Sequence, residues 1–171
     1  MSRAPEESFN ASFRELYTAA VQLARRLGAD SAAAEDLAAE AMARAYARWK
    51  EVARCDSPRA WVLRVTTNLA VDHGRRHQTQ RRYAALLVER TRARDEGELA
   101  VTRIALVAAL AALPARQREA VALRYLADLD ESEVSRALGI SPSTVRTHLQ
   151  RGLDGLRDVL DIKEAPRVAL S

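Results

Sequence analysis

The sequence has 171 residues, which suits one large domain or two small ones. Hydrophobic residues make up 48% of it but aromatics only 5%; with six Gly, five Pro and no run of alternating β-branched residues, the composition excludes an ordinary sheet protein and points to an all-α fold. A net charge of +4 permits a polyanionic partner without demanding one, and the single cysteine, Cys55, excludes an intrachain disulfide or a zinc-type cluster.

In chain order, the first helical block is expected over residues 9–27. Phe9, Phe13, Leu16, Tyr17, Ala20, Val21, Ala24 and Leu27 recur at spacings of three and four and make one apolar face. Gly28 ends it. Asp30 or Ser31 caps a second helix carrying Leu37, Ala41, Ala45, Tyr46 and Trp49 on one side. Its other side reads Asp36, Glu40, Arg44, Arg48, Lys50, a face charged with both signs. A short loop over residues 52–57 contains Cys55, expected to be a semi-buried, inert thiol. Ser57-Pro58 then gives a cap followed by proline at the first helical position, opening a third helix to about His77.

Residues 78–103 change character. They hold six Arg against four acids with weak apolar periodicity, and read as a linker, helical in part, between two domains. Helical spacing resumes at Ile104, Leu106, Val107, Leu110 and Leu113. Pro114 breaks it, and a further helix is expected over residues 117–126.

The sharpest pattern lies in residues 127–160. Asp130 or Ser132 starts a short helix containing Val134, Ala137 and Leu138. Gly139 can take the left-handed conformation that ends it, and Ile140 plugs the gap before the next helix. Ser141-Pro142 repeats the cap-plus-proline start. The helix that follows puts Val145, Leu149, Leu153, Leu156 and Leu160 on one face, with Ser143, Thr144, Arg146, Thr147, Gln150 and Arg151 opposite. Two helices set at a fixed angle, the second headed by short polar side chains and Arg, form a helix-turn-helix suited to the major groove of duplex DNA. Arg can make bidentate bonds to guanine, and Ser or Thr can bond phosphate or base. A helical hairpin with a polar, merely solvated face is the plainer alternative for the spacing alone.

These segments carry a resemblance. LPARQREAVALRYLADLDESEVSRALGISPSTVRTHLQRGLDGLR resembles region 4 of the sigma-70 family, and AAAEDLAAEAMARAYARW with SPRAWVLRVTTNLAVDHGRRH resembles region 2. Their order and spacing are similar to those of the small extracytoplasmic-function (ECF) sigma factors. The resemblance implies two small helical domains, region 2 over residues 9–77 and region 4 over residues 104–160, joined by a linker over residues 78–103. It implies a promoter-specificity subunit of bacterial core RNA polymerase, with promoter DNA as second partner, an anti-sigma protein as a frequent third, and no cofactor or metal. Residues 78–103 would thread the polymerase.

By position, Asp36, Glu40, Arg44 and Arg48 would face the polymerase clamp. Arg54, Asp56 and Ser57, around Cys55, would lie in the segment that pockets a flipped base of the melted minus-ten element, flanked by Arg64, Thr67 and Asn68. Asn68 has a second reading, a hydrogen bond inside its domain. Arg75 and Arg76 would hold phosphates or form a solvated cluster. Trp49 and Trp61 are expected in the core. Ser143, Thr144, Arg146, Thr147, His148, Gln150 and Arg151 would read the minus-thirty-five duplex. The family often has a basic run late in this helix; here Gly152, Asp154 and Gly155 replace part of it, so DNA contact is expected to end at Arg151.

No phosphate loop, metal-ligand cluster or partnered nucleophile points to an enzyme. His73, His77 and His148 are dispersed. Two rivals to a sigma factor are a conventional helix-turn-helix regulator acting on duplex DNA alone and a helical interaction protein. The sequence has no run of about 18 apolar residues and no signal-type opening, so a soluble, cytoplasmic protein is expected.

Overall fold

A computed structural model describes the backbone of residues 3–87 and 98–160, and the side chains of residues 7–77 and 104–160. Among the described residues every regular element is helical, which gives the expected all-α fold of two domains. The first half comprises α1 (Arg3–Arg26), α2 (Ser31–Ala47), α3 (Trp49–Val52) and α4 (Pro58–Leu87). The second comprises α5 (Glu98–Ala112), α6 (Ala115–Val121) with a π-helical turn at Ala122–Leu126, α7 (Glu131–Leu138) and α8 (Pro142–Leu160). The backbone therefore stays helical well past His77 and into the stretch expected to be a linker. Residues 88–97 and 161–171 lie outside the description.

Local chemistry sets most boundaries. Gly28, at φ 89°, takes the left-handed conformation after α1. The Asp30 carboxylate accepts from the Ala33 amide at 2.8 Å and starts α2, and the Ser57 hydroxyl accepts from the Ala60 amide at 3.1 Å and starts α4. Asp130 and Glu133 form a reciprocal capping box at the head of α7: each side chain accepts from the other residue's amide at 2.8 Å.

The first half closes around Phe9, Leu16, Ala20, Ala38, Ala41, Met42, Ala45, Trp49, Val52 and Val62. The buried side of α2 is a line of small residues, Ala34, Ala38, Ala41 and Ala45, which lets α1 approach closely. Trp49 is in the core as expected, whereas Trp61 is half-buried. Phe13 and Tyr46, expected on buried faces, are exposed. They extend an aromatic cluster in which the Phe9 ring meets those of Tyr46 and Trp49, each at 5.0 Å.

A second core runs across both halves. Leu23 and Leu27 of the α1 end and Ala60, Leu63, Ala70 and Val71 of α4 join Leu110, Leu113, Ala120, Val121, Leu123, Val134, Val145, Leu149 and Leu156 of the second half. The two domains are thus packed together, with α4 buried on two sides. This explains why Thr66 and Thr67, polar in sequence, are fully buried: their hydroxyls donate to the carbonyls of Val62 and Leu63 one turn back, each at 2.9 Å, so neither hydroxyl is left unpaired.

Candidate nucleic-acid interface

The turn between α7 and α8 follows from three features. Gly139, at φ 64°, ends α7 in the left-handed region, where any other L-residue is disfavoured. The Ser135 hydroxyl donates to the Ile140 carbonyl at 2.5 Å, and the Ser141 hydroxyl accepts from the Thr144 amide at 3.2 Å. Behind the turn Val134, Leu138, Val145 and Leu149 are buried together. This anchors the head of α8 and leaves its outer face to solvent.

That face is a single stripe. Ser143, Arg146, Thr147, Gln150 and Arg151 are all exposed, at the three- and four-residue spacings that align on a helix. Thr144 and His148 are half-buried at its edge. Several side chains are oriented from within the domain. Ser141 Oγ lies 2.8 Å from both Ser143 Oγ and Thr144 Oγ1, and Thr147 Oγ1 donates to the Ser143 carbonyl at 3.0 Å. Gln150 donates to the Asp154 carboxylate at 3.1 and 3.2 Å, which ties its amide toward the later part of the helix. Arg146 Nε donates to Glu131 Oε2 at 2.8 Å, linking α8 back to the first residue of α7. Glu131 carried no signal in sequence; only the turn geometry brings it to Arg146.

Gly152 and Gly155 have a packing role that propensity alone did not reveal. A Cβ on Gly152 would lie 2.6 Å from Val121 Cγ2, and one on Gly155 would lie 2.7 Å from Leu113 Cδ2. Both therefore permit close approach of α8 to α5 and α6. The buried line of α8 is Val145, Leu149, Gly152 and Leu156, with Leu153 and Leu160 half-buried rather than central.

In the first half the predicted residues divide. Asp36, Glu40, Arg44 and Arg48 are all exposed at four-residue intervals from α2 to its C-cap, and Arg44 Nε donates to Glu40 Oε1 at 2.8 Å. Arg54 and Asp56 are exposed in the loop; so is Cys55, contrary to the expected semi-burial, because the loop turns outward after Val52. Ser57 is half-buried, and its hydroxyl caps α4. The α4 residues face inward. Arg64 Nη1 donates to the Ala137 carbonyl at 3.3 Å, and Asn68 Nδ2 donates to Glu119 Oε1 at 2.8 Å, so both meet the second half of the chain. The intradomain alternative for Asn68 thus gives way to a contact between domains. Thr67 lies in the core. Arg75 and Arg76 are exposed near His77, whose ring centroid lies 4.5 Å from that of His73. Burial, together with the nearby charges of His77 and Arg76, pushes the His73 imidazole below its ordinary value, and Asp30 opposes this.

Known proteins match both halves. Residues 13–80 match Sigma-70 region 2, and residues 103–154 match Sigma-70, region 4. The chain is 31% identical over 162 residues to an RNA polymerase sigma-E factor of Streptomyces coelicolor, covering 95% of this chain and 91% of that protein. It is 30% identical over 138 residues to the ECF RNA polymerase sigma factor SigL of Mycobacterium tuberculosis, covering 78% of each. Two solved structures share the fold. One is the sigma factor RpoE of Bartonella quintana in complex with the anti-sigma factor NepR, with TM-score 0.54 at 18% identity over 92% of this chain and 99% of that one. The other is CnrH in complex with the cytosolic domain of CnrY, with TM-score 0.56 at 20% identity over 93% of this chain and 91% of that one.

Two helical domains of this kind, in this order, define a sigma factor rather than a conventional regulator that uses a helix-turn-helix alone. The chain belongs to the sigma-70 family, and within it to the ECF type. Among the described residues no helix is long and apolar enough to cross a membrane.

Proposed function

We propose that the chain binds bacterial core RNA polymerase and directs it to promoters, reading the minus-thirty-five duplex with the head of α8 and the melted minus-ten element with the first domain. One observation carries the reading. Ser143, Arg146, Thr147, Gln150 and Arg151 form a solvent-facing stripe on a helix whose entry angle is held by Gly139 and the buried residues behind it, in a chain that also has region 2. The charged stripe of Asp36, Glu40, Arg44 and Arg48 is the surface assigned to the polymerase clamp. Arg54, Asp56 and Ser57, with Arg64, Thr67 and Asn68, are assigned to the opened strand, and Arg75 and Arg76 to phosphates.

The α4 part of this assignment carries a structural condition. Arg64 and Asn68 are engaged by Ala137 and Glu119, so their use on DNA requires the two domains to separate there. The Bartonella sigma factor was solved with an anti-sigma factor, and a holding protein of that kind is the third partner of the proposal.

The test is reconstitution. Purified chain added to core polymerase should give initiation from a defined set of promoters, which selection from a random duplex library with the reconstituted holoenzyme would identify. Tight binding to duplex DNA by the chain alone, with no change in the output of core polymerase, would overturn the proposal.

A further inference from the structure

We propose that Glu131 is a positioning residue for promoter reading, acting through Arg146; the inference rests on the reading of α8 as the duplex-contacting helix. Glu131 is the first residue of α7, fixed there by the Asp130–Glu133 capping box. Its side chain is 23% exposed and that of Arg146 is 63% exposed, so the carboxylate is the held member of the pair and the guanidinium the projecting one.

The geometry divides the work of the guanidinium. Nε is committed to Glu131 Oε2 at 2.8 Å. The two terminal nitrogens, Nη1 and Nη2, make no hydrogen bond to any described residue. A planar guanidinium held by its Nε edge presents its Nη1–Nη2 edge outward, and that edge matches the paired O6 and N7 acceptors of guanine in the major groove. An arginine without such a holder has several rotamers to give up on binding and can settle on a phosphate instead. The carboxylate also repels phosphate, so it trades general affinity for selectivity at one base pair.

The pair is not needed to form the turn. The capping box, the left-handed Gly139, the Ser135–Ile140 bond and the buried Val134, Leu138, Val145 and Leu149 already fix α7 against α8. A partly exposed ion pair adds little to folding beside these. Its consequence lies in the direction of Arg146.

The experiment uses reconstituted holoenzyme and a promoter selected with it, varied one base pair at a time in the upstream element. Arg146→Ala identifies the base pair at which discrimination is lost. Glu131→Ala should then lower discrimination at that same base pair by roughly five- to tenfold, leave the other positions unchanged, and raise binding to unrelated duplex. Glu131→Gln, which keeps an acceptor oxygen, should retain most of the discrimination. In the Arg146→Ala background Glu131→Ala should remove no further selectivity.

An equal loss at every base pair, or a further loss in the Arg146→Ala background, would assign Glu131 to folding alone. That overturns the inference and leaves the α8 reading standing. If Arg146→Ala itself changes selectivity nowhere, the α8 reading fails at this residue and the inference fails with it. A thermal unfolding curve for Glu131→Ala that overlays the unsubstituted chain separates positioning from general damage to the domain.

Discussion

Asn68 and Glu119, 51 positions apart, meet across the two domains: the Asn68 amide donates to Glu119 Oε1 at 2.8 Å, and the other carboxylate oxygen accepts from Arg116 at 3.3 Å. Glu119 is 8% exposed. A carboxylate this far out of water needs its donors, so the pair fixes how α4 and α6 sit together as much as it strengthens the packing.

Glu119→Ala should therefore cost more than a surface change. It strands the Asn68 amide in the interface, a loss of about 1–3 kcal/mol. Glu119→Gln keeps an oxygen for Asn68 and should lose less. Denaturant unfolding of the whole chain measures both, and an unchanged midpoint for Glu119→Ala would show that the bond does not hold the domains.

Gly152→Ala tests close packing against helix propensity. Alanine gains about 1 kcal/mol of helix preference. Its Cβ would stand 2.6 Å from Val121 Cγ2 and 3.4 Å from the Gln117 carbonyl oxygen, and overpacking of this sort costs about 1–3 kcal/mol. Val121 is buried and β-branched, with little room to yield. The expected outcome is net destabilisation, seen as a lower Tm; a higher Tm would mean that α8 moves away without penalty.

Asp128 combines two roles that substitution can separate. It stands at φ 56°, and its carboxylate pairs with Arg26 at 2.6 Å, with both side chains at least half exposed. An exposed pair contributes at most about 1 kcal/mol. The left-handed backbone is tolerated by Asp and Asn but costs a β-branched residue about 1–2 kcal/mol. Asp128→Asn should be close to neutral and Asp128→Val clearly destabilising in the same unfolding assay. Equal effects from the two would assign the whole contribution to the ion pair.

Stability should also depend on pH through His73. Its folded-state pKa lies below the ordinary 6.5 because burial, His77 and Arg76 disfavour the charged ring, against the pull of Asp30. The unfolded chain therefore takes up the proton first as pH falls, and between the two pKa values it binds more protons than the folded chain. The contribution is complete above the unfolded value and declines as pH drops from there toward the folded one. His73→Gln should flatten that part of the stability profile, measured as unfolding free energy while pH is lowered through 6.5. An identical slope in the variant would exclude His73 as its source.

The parts of the fold legible in sequence are those set by neighbours along the chain. Asp30, Ser57-Pro58, Gly139 and Ser141-Pro142 each announce a boundary because a cap or a left-handed turn is a local requirement. The stripe on α8 was legible for the same reason. The extent of α4 was not, since dense charge after His77 hides the helical period. Nor was the inward turn of Arg64, Thr67 and Asn68: they read as a polar side of α4 until the second domain is packed on it. Gly152 and Gly155 looked like losses of helix propensity, and only the nearness of Val121 and Leu113 gives them a purpose. Glu131 was silent because its partner is reached through a turn rather than along a helix.

Cys55 stands exposed in the loop between α3 and α4, and the chain has no other cysteine. The natural sequence therefore offers one accessible thiol for a maleimide dye, located without mutagenesis at the segment assigned to the flipped base. A fluorophore there would report, in real time and from a single known position, the arrival of polymerase and the opening of the strands.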